Sequence, residues 1–340
     1  MKTITINQPD DWHVHFRDQN LLKDTVLATA KHFARALAMP NLKPALTNLN
    51  SILAYHERIL KVAPKNFSPY MTFYLNEAVN PADLKQVKNY PFILGAKLYP
   101  SGATTNAEEG AKSLKSLYPL FEVLEEENLV LQIHGEFGEG DIFEREEKFI
   151  GLFLESLIKD FPKLRIVVEH ISTEAAVKFV EQSPIEVAAT ITGHHLLYNR
   201  NKLLAGGIRP HYYCLPILKR EEDQTALIKA AISGNPKFFA GSDSAPHAIN
   251  QKESACGCAG IYSAPYVLAM YAEVFDNMDS LSSLNNFMSL NGANFYGLPV
   301  NSGQITLRKE VQQIPLRLKL GDTEVVPVAA GESLQWSVYS

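Results

Sequence analysis

The sequence predicts a (β/α)8 barrel, a closed sheet of eight parallel strands that alternate with helices. Short apolar runs alternate with longer helical patterns along most of the chain, which indicates parallel strands joined by crossover helices. The length of 340 residues suits one barrel-sized domain. No G-x-G-x-x-G segment follows a predicted strand, which disfavours the competing topology, a doubly wound open sheet.

Each strand is predicted from a run of apolar residues, and each helix from apolar residues that recur every three or four positions. Pro40 and Pro100 follow two of the strands, where the missing N–H ends the pairing. The predicted strands are residues 12–16, 35–39, 70–74, 92–98, 129–133, 164–168, 186–190 and 238–240. The predicted helices are residues 21–33, 51–62, 82–88, 118–127, 149–161 and 220–233, and a helix capped by Ser172 that runs to Gln182.

Two regions depart from this alternation. The stretch 191–218 is too long for a simple connection after a strand, and long connections in compact domains are often functional. The tail 303–338 alternates Thr, Val and Leu with polar residues, which favours short strands and coil that cover the barrel. We therefore expect a single domain over residues 1–340, with a C-terminal extension of about 303–340 packed on it.

The composition excludes several classes of protein. Hydrophobic residues make up 46% and charged residues 20% of the chain, as in ordinary globular proteins. The net charge of −5 argues against a nucleic-acid partner, which would require clustered basic residues. Neither a membrane-spanning apolar run nor a signal peptide is present, and three cysteines do not suggest a disulfide framework. We expect a cytoplasmic protein without a membrane partner.

The segment His13-Val14-His15 is the most informative motif. Residues i and i+2 of a strand point to the same face, so both imidazoles converge on one point. Two such nitrogens at a strand end can bind a divalent metal ion. A strand whose histidines simply face solvent would show the same pattern, so the prediction depends on the rest of the chain.

Four further residues of the types found in metal or catalytic sites follow or end later strands. Lys97, His134, His170 and Asp243 lie at the C-terminal ends of the fourth, fifth, sixth and eighth predicted strands. Barrel enzymes carry their chemistry at that face. His32, His56, His194, His195 and His211 are weaker candidates, because no strand end fixes them. Cys256-Gly257-Cys258 lacks the spacing of a zinc knuckle and is interpreted as loop packing near the site.

Lys97 allows two kinds of chemistry. Burial at a strand end lowers the pKa of an amine and makes the neutral form available. Such an amine can form a Schiff base, or it can react with carbon dioxide to give a carbamate that bridges two metal ions. Four histidines and an aspartate favour the carbamate, because a Schiff-base enzyme has no use for so many metal ligands. Paired zinc ions about 3.5–4 Å apart are a known hydrolytic arrangement.

This pattern of ligands resembles the amidohydrolase superfamily, and several longer motifs resemble bacterial dihydroorotases of the short, single-barrel class. The resemblance extends from about residue 3 to Val338, with no departure at a functional position. The motifs are Asp11-Trp12-His13-Val14-His15-Phe16-Arg17-Asp18, Met39-Pro40-Asn41, Lys97-Leu98-Tyr99-Pro100, Ala103-Thr104-Thr105-Asn106, Cys214-Leu215-Pro216-Ile217-Leu218-Lys219, Gly241-Ser242-Asp243-Ser244-Ala245-Pro246-His247 and Gly257-Cys258-Ala259-Gly260.

The resemblance implies a zinc enzyme that reversibly cyclises N-carbamoyl-L-aspartate to L-dihydroorotate, the third step of de novo pyrimidine synthesis. It implies that His13, His15 and Asp243 bind the more buried zinc ion. His134 and His170 would bind the second, and carboxylated Lys97 and a hydroxide would bridge both. Asp243 would also move the proton between the hydroxide and the amide nitrogen. The resemblance further suggests a homodimer.

It also implies how the substrate is bound. Arg17, Asn41 and His247 match residues that hold the α-carboxylate of the substrate. Arg17 lies two residues past His15, which predicts the same strand face, and its guanidinium suits a carboxylate. Leu215 and Ala259 match positions whose backbone binds the ring amides, and His134 also contacts substrate. Thr104 and Thr105 match the tip of a mobile loop that closes over it.

Three alternatives make different predictions. A hydantoinase or allantoinase would use the same metals, but such enzymes generally carry a β-sandwich from segments that flank the barrel, and only 12 residues precede His13. A catalytically inactive barrel that serves as a scaffold would have lost its zinc ions. A Schiff-base lyase that uses Lys97 would be trapped by borohydride and would need no metal.

Overall fold

A computed structural model describes residues 2–111 and 113–339. Eight parallel strands form one sheet in the order in which they occur along the chain, as predicted for a (β/α)8 barrel. The sheet closes where the first barrel strand meets the segment after the last one: Asp243 N–H donates to His13 O (2.8 Å), and His15 N–H donates to Ser244 O (3.0 Å). After an N-terminal strand β1 (Thr3–Asn7), the barrel strands are β2 (Asp10–Val14), β3 (Arg35–Ala38), β4 (Ser68–Leu75), β5 (Ile93–Leu98), β6 (Val130–His134), β7 (Arg165–Glu169), β8 (Val187–Ile191) and β9 (Phe238–Ala240).

Helices surround the barrel, and several begin at a side-chain cap. Asn48 Oδ1 accepts a hydrogen bond from Ser51 N at the start of α2, which satisfies an N–H that has no partner within the helix. The helices are α1 (Leu22–Ala30), α2 (Leu49–Leu60), α3 (Pro81–Lys85), α4 (Tyr118–Glu126), α5 (Arg145–Phe149), α6 (Glu155–Asp160), α7 (Glu174–Gln182), α8 (Gly193–Leu197), α9 (Arg200–Leu204), α10 (Glu221–Ile232), α11 (Ile249–Lys252), α12 (Val267–Asn277) and α13 (Asn291–Phe295). No helix among the described residues is long and apolar enough to span a membrane.

The interior of the barrel has its own apolar cluster, separate from the larger core between strands and helices. Trp12 lies at its base and stacks on Tyr296, with ring centres 4.5 Å apart. Gly292 allows this close packing, because a Cβ there would lie 2.0 Å from Trp12 Nε1. The base of the barrel is therefore filled by side chains, and space for a ligand remains at the opposite, C-terminal ends of the strands.

The C-terminal tail forms short strands, as its pattern predicts. One of them pairs with β1, so the two ends of the chain form a three-stranded antiparallel sheet that the sequence does not predict. Trp336 in this tail is completely buried. The tail strands are β10 (Gln304–Arg308), β11 (Gln312–Gln313), β12 (Leu318–Leu320), β13 (Thr323–Val325), β14 (Ser333–Leu334) and β15 (Ser337–Tyr339).

Some predicted bounds were wrong. The first barrel strand ends at Val14, so His15 follows the strand. The helix predicted over 149–161 begins earlier, as α5, and continues through a π-helical turn (Ile150–Leu154) into α6. Thr173, not Ser172, caps α7, because Ser172 donates its N–H and hydroxyl to the buried carboxylate of Glu146.

Candidate active site

A cavity opens at the C-terminal ends of the barrel strands, and it gathers all but one of the residues that the sequence predicts for the site. The exception is Lys97, which is fully buried; its Nζ lies 5.1 Å from the ring centre of Tyr99 in the cavity wall. The lining residues are His13, His15, Arg17, Asn41, Tyr99, Thr104, Thr105, His134, His170, Leu215, Asp243, Ala245, His247, Ala259 and Gly260.

Three donor atoms converge at the first barrel strand. The Nε2 atoms of His13 and His15 lie 3.3 Å apart. Asp243 Oδ1 lies 3.4 Å from the first of these nitrogens and 3.1 Å from the second. The backbone bonds that close the barrel bring Asp243 beside the two histidines.

The outer nitrogens of these two histidines are held by neighbours. His13 Nδ1 lies 2.7 Å from Glu169 Oε2, which also accepts a hydrogen bond from Thr190 Oγ1. His15 Nδ1 lies 2.9 Å from Asn41 Oδ1. Because each Nδ1–H donates to an oxygen, each Nε2 keeps its lone pair towards the cavity.

A second pair of donors lies on the next strands of the barrel. His134 Nδ1 and His170 Nε2 are 3.2 Å apart. Behind them, His134 Nε2 lies 3.9 Å from Glu136 Oε2. The other oxygen of Glu136 accepts a hydrogen bond from the buried Lys219 ammonium at 2.6 Å. These two histidines therefore offer a second pair of nitrogens beside the first cluster.

Burial sets the protonation states of the site. Desolvation lowers the pKa of His15 to about 4 and holds the pKa values of His134 and His170 well below the usual range. Burial by itself would raise the pKa of Asp243, but interactions with His13 and His15 outweigh it and the pKa is lowered. The imidazoles of His15, His134 and His170 are therefore neutral and the carboxylate of Asp243 is ionised near neutral pH, as metal ligands must be.

Lys97 belongs to strand β5, and its Nζ has no hydrogen-bond partner among the described residues. Desolvation lowers its pKa to about 8, against the opposing effect of Glu169 and Asp243. An appreciable fraction of the amine is therefore neutral near physiological pH, which is the form that reacts with carbon dioxide or a carbonyl group.

The donor set fits a pair of divalent metal ions. Lys97 Nζ is a buried polar atom with no hydrogen-bond partner among the described residues. Such an atom is rare in a native protein, and here it accompanies a cluster of His13, His15 and Asp243 donors and the facing pair His134 Nδ1 and His170 Nε2. The oxygen and imidazole ligands suit zinc and several other divalent metals.

Three residues of the site have strained backbone conformations. Arg17, His170 and Asp243 have φ angles of 61°, 42° and 43°, in the left-handed region that residues other than glycine rarely adopt. Such strain is concentrated at functional sites, where the surrounding structure enforces it. Each of these residues follows its barrel strand, and the turn directs the side chain into the cavity.

Arg17 reaches the cavity by this turn, and the prediction that it lies on the same strand face as His15 was wrong, because the strand has already ended. Its Nε donates to Pro246 O (3.0 Å), and its Nη2 lies 2.9 Å from His247 Nε2. His247 Nε2 also lies 3.1 Å from Ala259 O. Burial lowers the pKa of His247 to about 2, so a neutral imidazole faces a guanidinium.

The segment of Thr104 and Thr105 covers the cavity. Thr105 Oγ1 accepts a hydrogen bond from Ala259 N at 3.0 Å, and Asn41 Nδ2 lies 3.5 Å from Thr105 O. The Thr105 hydroxyl therefore reaches across the cavity and binds the backbone N–H of Ala259 in the opposite wall.

Sequence reasoning missed Glu136, Glu169 and Tyr99. Both glutamates are fully buried beside a histidine of the site. A signal was present for each: Glu169 directly precedes His170, and Glu136 follows His134 by two residues. Tyr99 follows Lys97 by two residues and stacks on Tyr74.

The weaker candidates lie outside the cavity lining. His211 pairs with Glu253 at 2.9 Å. His194, His195 and Cys214 form a buried group of metal-ligand types. However, both ring nitrogens of His195 already have partners, Thr192 Oγ1 and Pro216 O. This satisfied histidine makes the group a poor ligand set.

Comparison with known proteins assigns the family. A model of the amidohydrolase family matches residues 7–318. A dihydroorotase of Shewanella loihica is 51% identical over 340 residues, and the match covers 99% of each chain. The chain belongs to the dihydroorotases of the amidohydrolase family. It is therefore an enzyme of the hydrolase class.

Solved structures agree with this assignment. A dihydroorotase of Saccharomyces cerevisiae, in complex with 5-fluoroorotic acid, superposes with a TM-score of 0.91 at 34% identity and covers 100% of this chain and 99% of its own. A dihydroorotase of Campylobacter jejuni gives a TM-score of 0.90 at 36% identity, with 99% and 98% covered. Full-length similarity at these identities favours a dihydroorotase over the hydantoinase, scaffold and lyase alternatives.

Proposed function

We propose that the enzyme interconverts N-carbamoyl-L-aspartate and L-dihydroorotate by a metal-dependent reaction. One observation carries the proposal: five metal-ligand side chains and a carboxylate-binding group share one cavity at the C-terminal face of the barrel. Family membership supports the reaction, and the cavity supports an anionic substrate, because the Arg17 guanidinium lines it.

In this proposal His13, His15 and Asp243 hold one zinc ion, and His134 and His170 hold the other. Bound zinc ions would lower the pKa of water and polarise the scissile carbonyl group. Glu169 and Asn41 orient two of the ligating imidazoles through the hydrogen bonds described above. Other divalent metals suit the same ligands.

Lys97 is proposed to carry a carboxylate group on Nζ. Its neutral amine attacks carbon dioxide, the new N–C bond forms, and the amine proton is released to water. The product is an anion with two oxygens, which can bridge two cations. Burial supports this assignment, because it lowers the pKa of the amine. The Nζ atom also has no hydrogen-bond partner among the described residues that would hold it in place of the carboxylate group.

Asp243 is proposed to move the proton. In hydrolysis its carboxylate accepts a proton from the attacking water and delivers it to the departing ring nitrogen. In cyclisation the carbamoyl nitrogen attacks the side-chain carboxyl carbon, and the same carboxylate accepts the proton of that nitrogen and delivers it to the oxygen that departs as water. The lowered pKa of Asp243 keeps the carboxylate ionised before the transfer.

The remaining cavity residues are proposed to bind substrate. Arg17, Asn41 and His247 would bind the α-carboxylate, and the backbone of Leu215 and Ala259 would bind the ring amides. Thr104 and Thr105 would act as a lid that adds hydroxyl donors and excludes water. The contact of Thr105 with Ala259 supports the lid, because the segment reaches across the cavity.

We further propose a cytoplasmic homodimer. Its three cysteines are free thiols, which suits a reducing compartment. Sedimentation equilibrium of the purified protein measures the assembly directly, and a monomer at micromolar concentration would contradict the homodimer.

The decisive experiment supplies L-dihydroorotate to the purified enzyme and follows loss of its ultraviolet absorbance with and without a chelator. We expect turnover that the chelator abolishes and zinc restores. Dihydrouracil, which has the same ring without the carboxylate, serves as the matched substrate control and should react far more slowly. Turnover of dihydrouracil alone would indicate a hydantoinase-type enzyme, and borohydride trapping without a metal requirement would indicate the Schiff-base alternative.

A further inference from the structure

Lys252 is a buried lysine outside the metal-ligand set and the cavity lining. It ends α11 and is 3% exposed. Its Nζ donates to three backbone carbonyls: Tyr213 O at 2.8 Å, Cys258 O at 2.7 Å and Gly260 O at 2.8 Å. An ammonium group has three hydrogens, so every donor of this side chain is used.

The three carbonyls belong to two segments that meet at the cavity. Gly260 N–H also donates to Tyr213 O (3.0 Å), and Cys258 N–H donates to Gln251 O (3.2 Å). The N–H and C=O groups of Cys258 and Gly260 thus bond to residues outside the cavity lining. The Lys252 ammonium therefore binds both segments, the one that contains Tyr213 and the one that contains Cys258 and Gly260, on the side away from the cavity.

Ala259, between these two residues, has the opposite orientation. Its N–H donates to Thr105 Oγ1, and its carbonyl oxygen lies 3.1 Å from His247 Nε2. In a trans peptide the C=O of one residue and the N–H of the next point in opposite directions. Because the Cys258 C=O and the Gly260 N–H bond away from the cavity, the adjoining N–H and C=O of Ala259 point towards it.

We propose that Lys252 is a positioning residue for substrate binding: its ammonium holds Cys258 and Gly260 from behind, so that the N–H and C=O of Ala259 are presented to the cyclic amide. The inference rests on the proposed function of the cavity. The same ammonium ties down Tyr213, two residues before Leu215 in the cavity wall. Lys252 thereby preorganises both backbone segments before the substrate enters.

Lys237 provides a matched control within the chain. Its Nζ also donates to backbone carbonyls, those of Val180, Glu181 and Ser183 at the end of α7. It precedes β9, at the opposite end of the barrel from the cavity. Lys237→Met and Lys252→Met remove the same kind of contact at different places.

The test measures kcat and KM for L-dihydroorotate, together with zinc content and thermal stability. Lys252→Met should raise KM by about tenfold or more, since the binding groups lose their orientation, with zinc content unchanged and kcat affected much less. Lys237→Met should lower stability and change KM by less than about twofold. Propylammonium added to Lys252→Ala should restore KM in part, because it replaces the missing end of the side chain.

Equal KM values in the two Met variants would overturn the proposal and leave Lys252 a structural residue. If Lys252→Met does not fold, Lys252→Gln keeps two N–H donors without the charge on a side chain one bond shorter, and an unchanged KM in that variant overturns the proposal equally. A wild-type enzyme that fails to turn over L-dihydroorotate would refute the proposed function instead, so the two failures are distinguishable.

Discussion

His13 donates its Nδ1 hydrogen to Glu169 across 2.7 Å, and both side chains are at most 1% exposed. This bond fixes the tautomer in which Nε2 carries no hydrogen, so that its lone pair points towards Asp243 and His15. A buried carboxylate that accepts from a ligating imidazole also makes that imidazole a stronger electron donor. In the proposed metal site, the affinity for zinc would thus depend on Glu169, a residue outside the cavity lining.

Glu169→Gln should weaken zinc binding by about 10–100-fold, because an amide is a poorer acceptor than a carboxylate. Chelator competition on the purified protein measures the affinity directly. Glu174→Gln is the matched control, since Glu174 is exposed and its carboxylate pairs with Lys178 within the same helix. Equal zinc affinities in the two variants would show that the contact of Glu169 with His13 does not contribute to zinc binding.

Lys97→Ala should reduce the metal content below two ions per chain and abolish most turnover, because the anion proposed to bridge the ions is lost. Metal analysis and mass spectrometry for the carbon dioxide adduct measure both effects. Lys88→Ala, at an exposed position, should change neither. Full zinc occupancy and near-normal activity of Lys97→Ala would rule out the carbamate.

Asp243→Asn should lower kcat by about 10²–10⁴-fold in both directions, the usual contribution of a general acid–base group. It should also weaken the first metal site, so rates are compared at saturating zinc. The amide preserves the size of the side chain and isolates the loss of charge. A variant that retains a tenth of the wild-type rate under these conditions would assign the proton transfer to another group.

Arg17→Met should depress kcat/KM strongly and leave the zinc content intact. Loss of a desolvated, charge-assisted contact costs about 2–5 kcal/mol. Dihydrouracil, which has no carboxylate, provides the control substrate, and its slow turnover should be little affected. Loss of metal from this variant would show that Arg17 supports the metal centre instead of the substrate.

Replacement of both Thr104 and Thr105 by Ala should lower turnover by more than about tenfold with zinc content and fold unchanged, since the proposed lid would use these hydroxyls in its closed state. Thr5 and Thr306 form an exposed pair of hydroxyls 2.8 Å apart on the small terminal sheet. Replacing that pair is the matched control. Unchanged kinetics in the loop variant would make the segment an ordinary surface loop.

Much of the fold and site could be predicted because both depend on local patterns. Strand and helix alternation follows from apolar periodicity within short windows, and parallel order follows from the crossover connections. His13, His134 and His170 could be proposed as ligands because each lies at a strand end. The carboxyl ends of barrel strands meet at one face of the barrel whatever conformation the loops adopt.

The loops were less predictable, since their conformation is set by contacts between distant segments. The direction of Arg17 comes from a left-handed residue after the strand, and its contact with His247 joins positions 230 residues apart. Thr105 meets Ala259 across 154 residues. No local periodicity encodes such a pairing.

By itself, the sequence determined the barrel, its family and the types and order of the candidate ligands, because these follow from local periodicity and from motifs that are contiguous in the chain. Only the tertiary structure decided what supports them: Glu169 behind His13, Glu136 and Lys219 behind His134, and Lys252 behind the Ala259 wall. A buried charge is tolerated only where its partners surround it. Those partners come from other strands and loops, so they become identifiable only once the chain has folded.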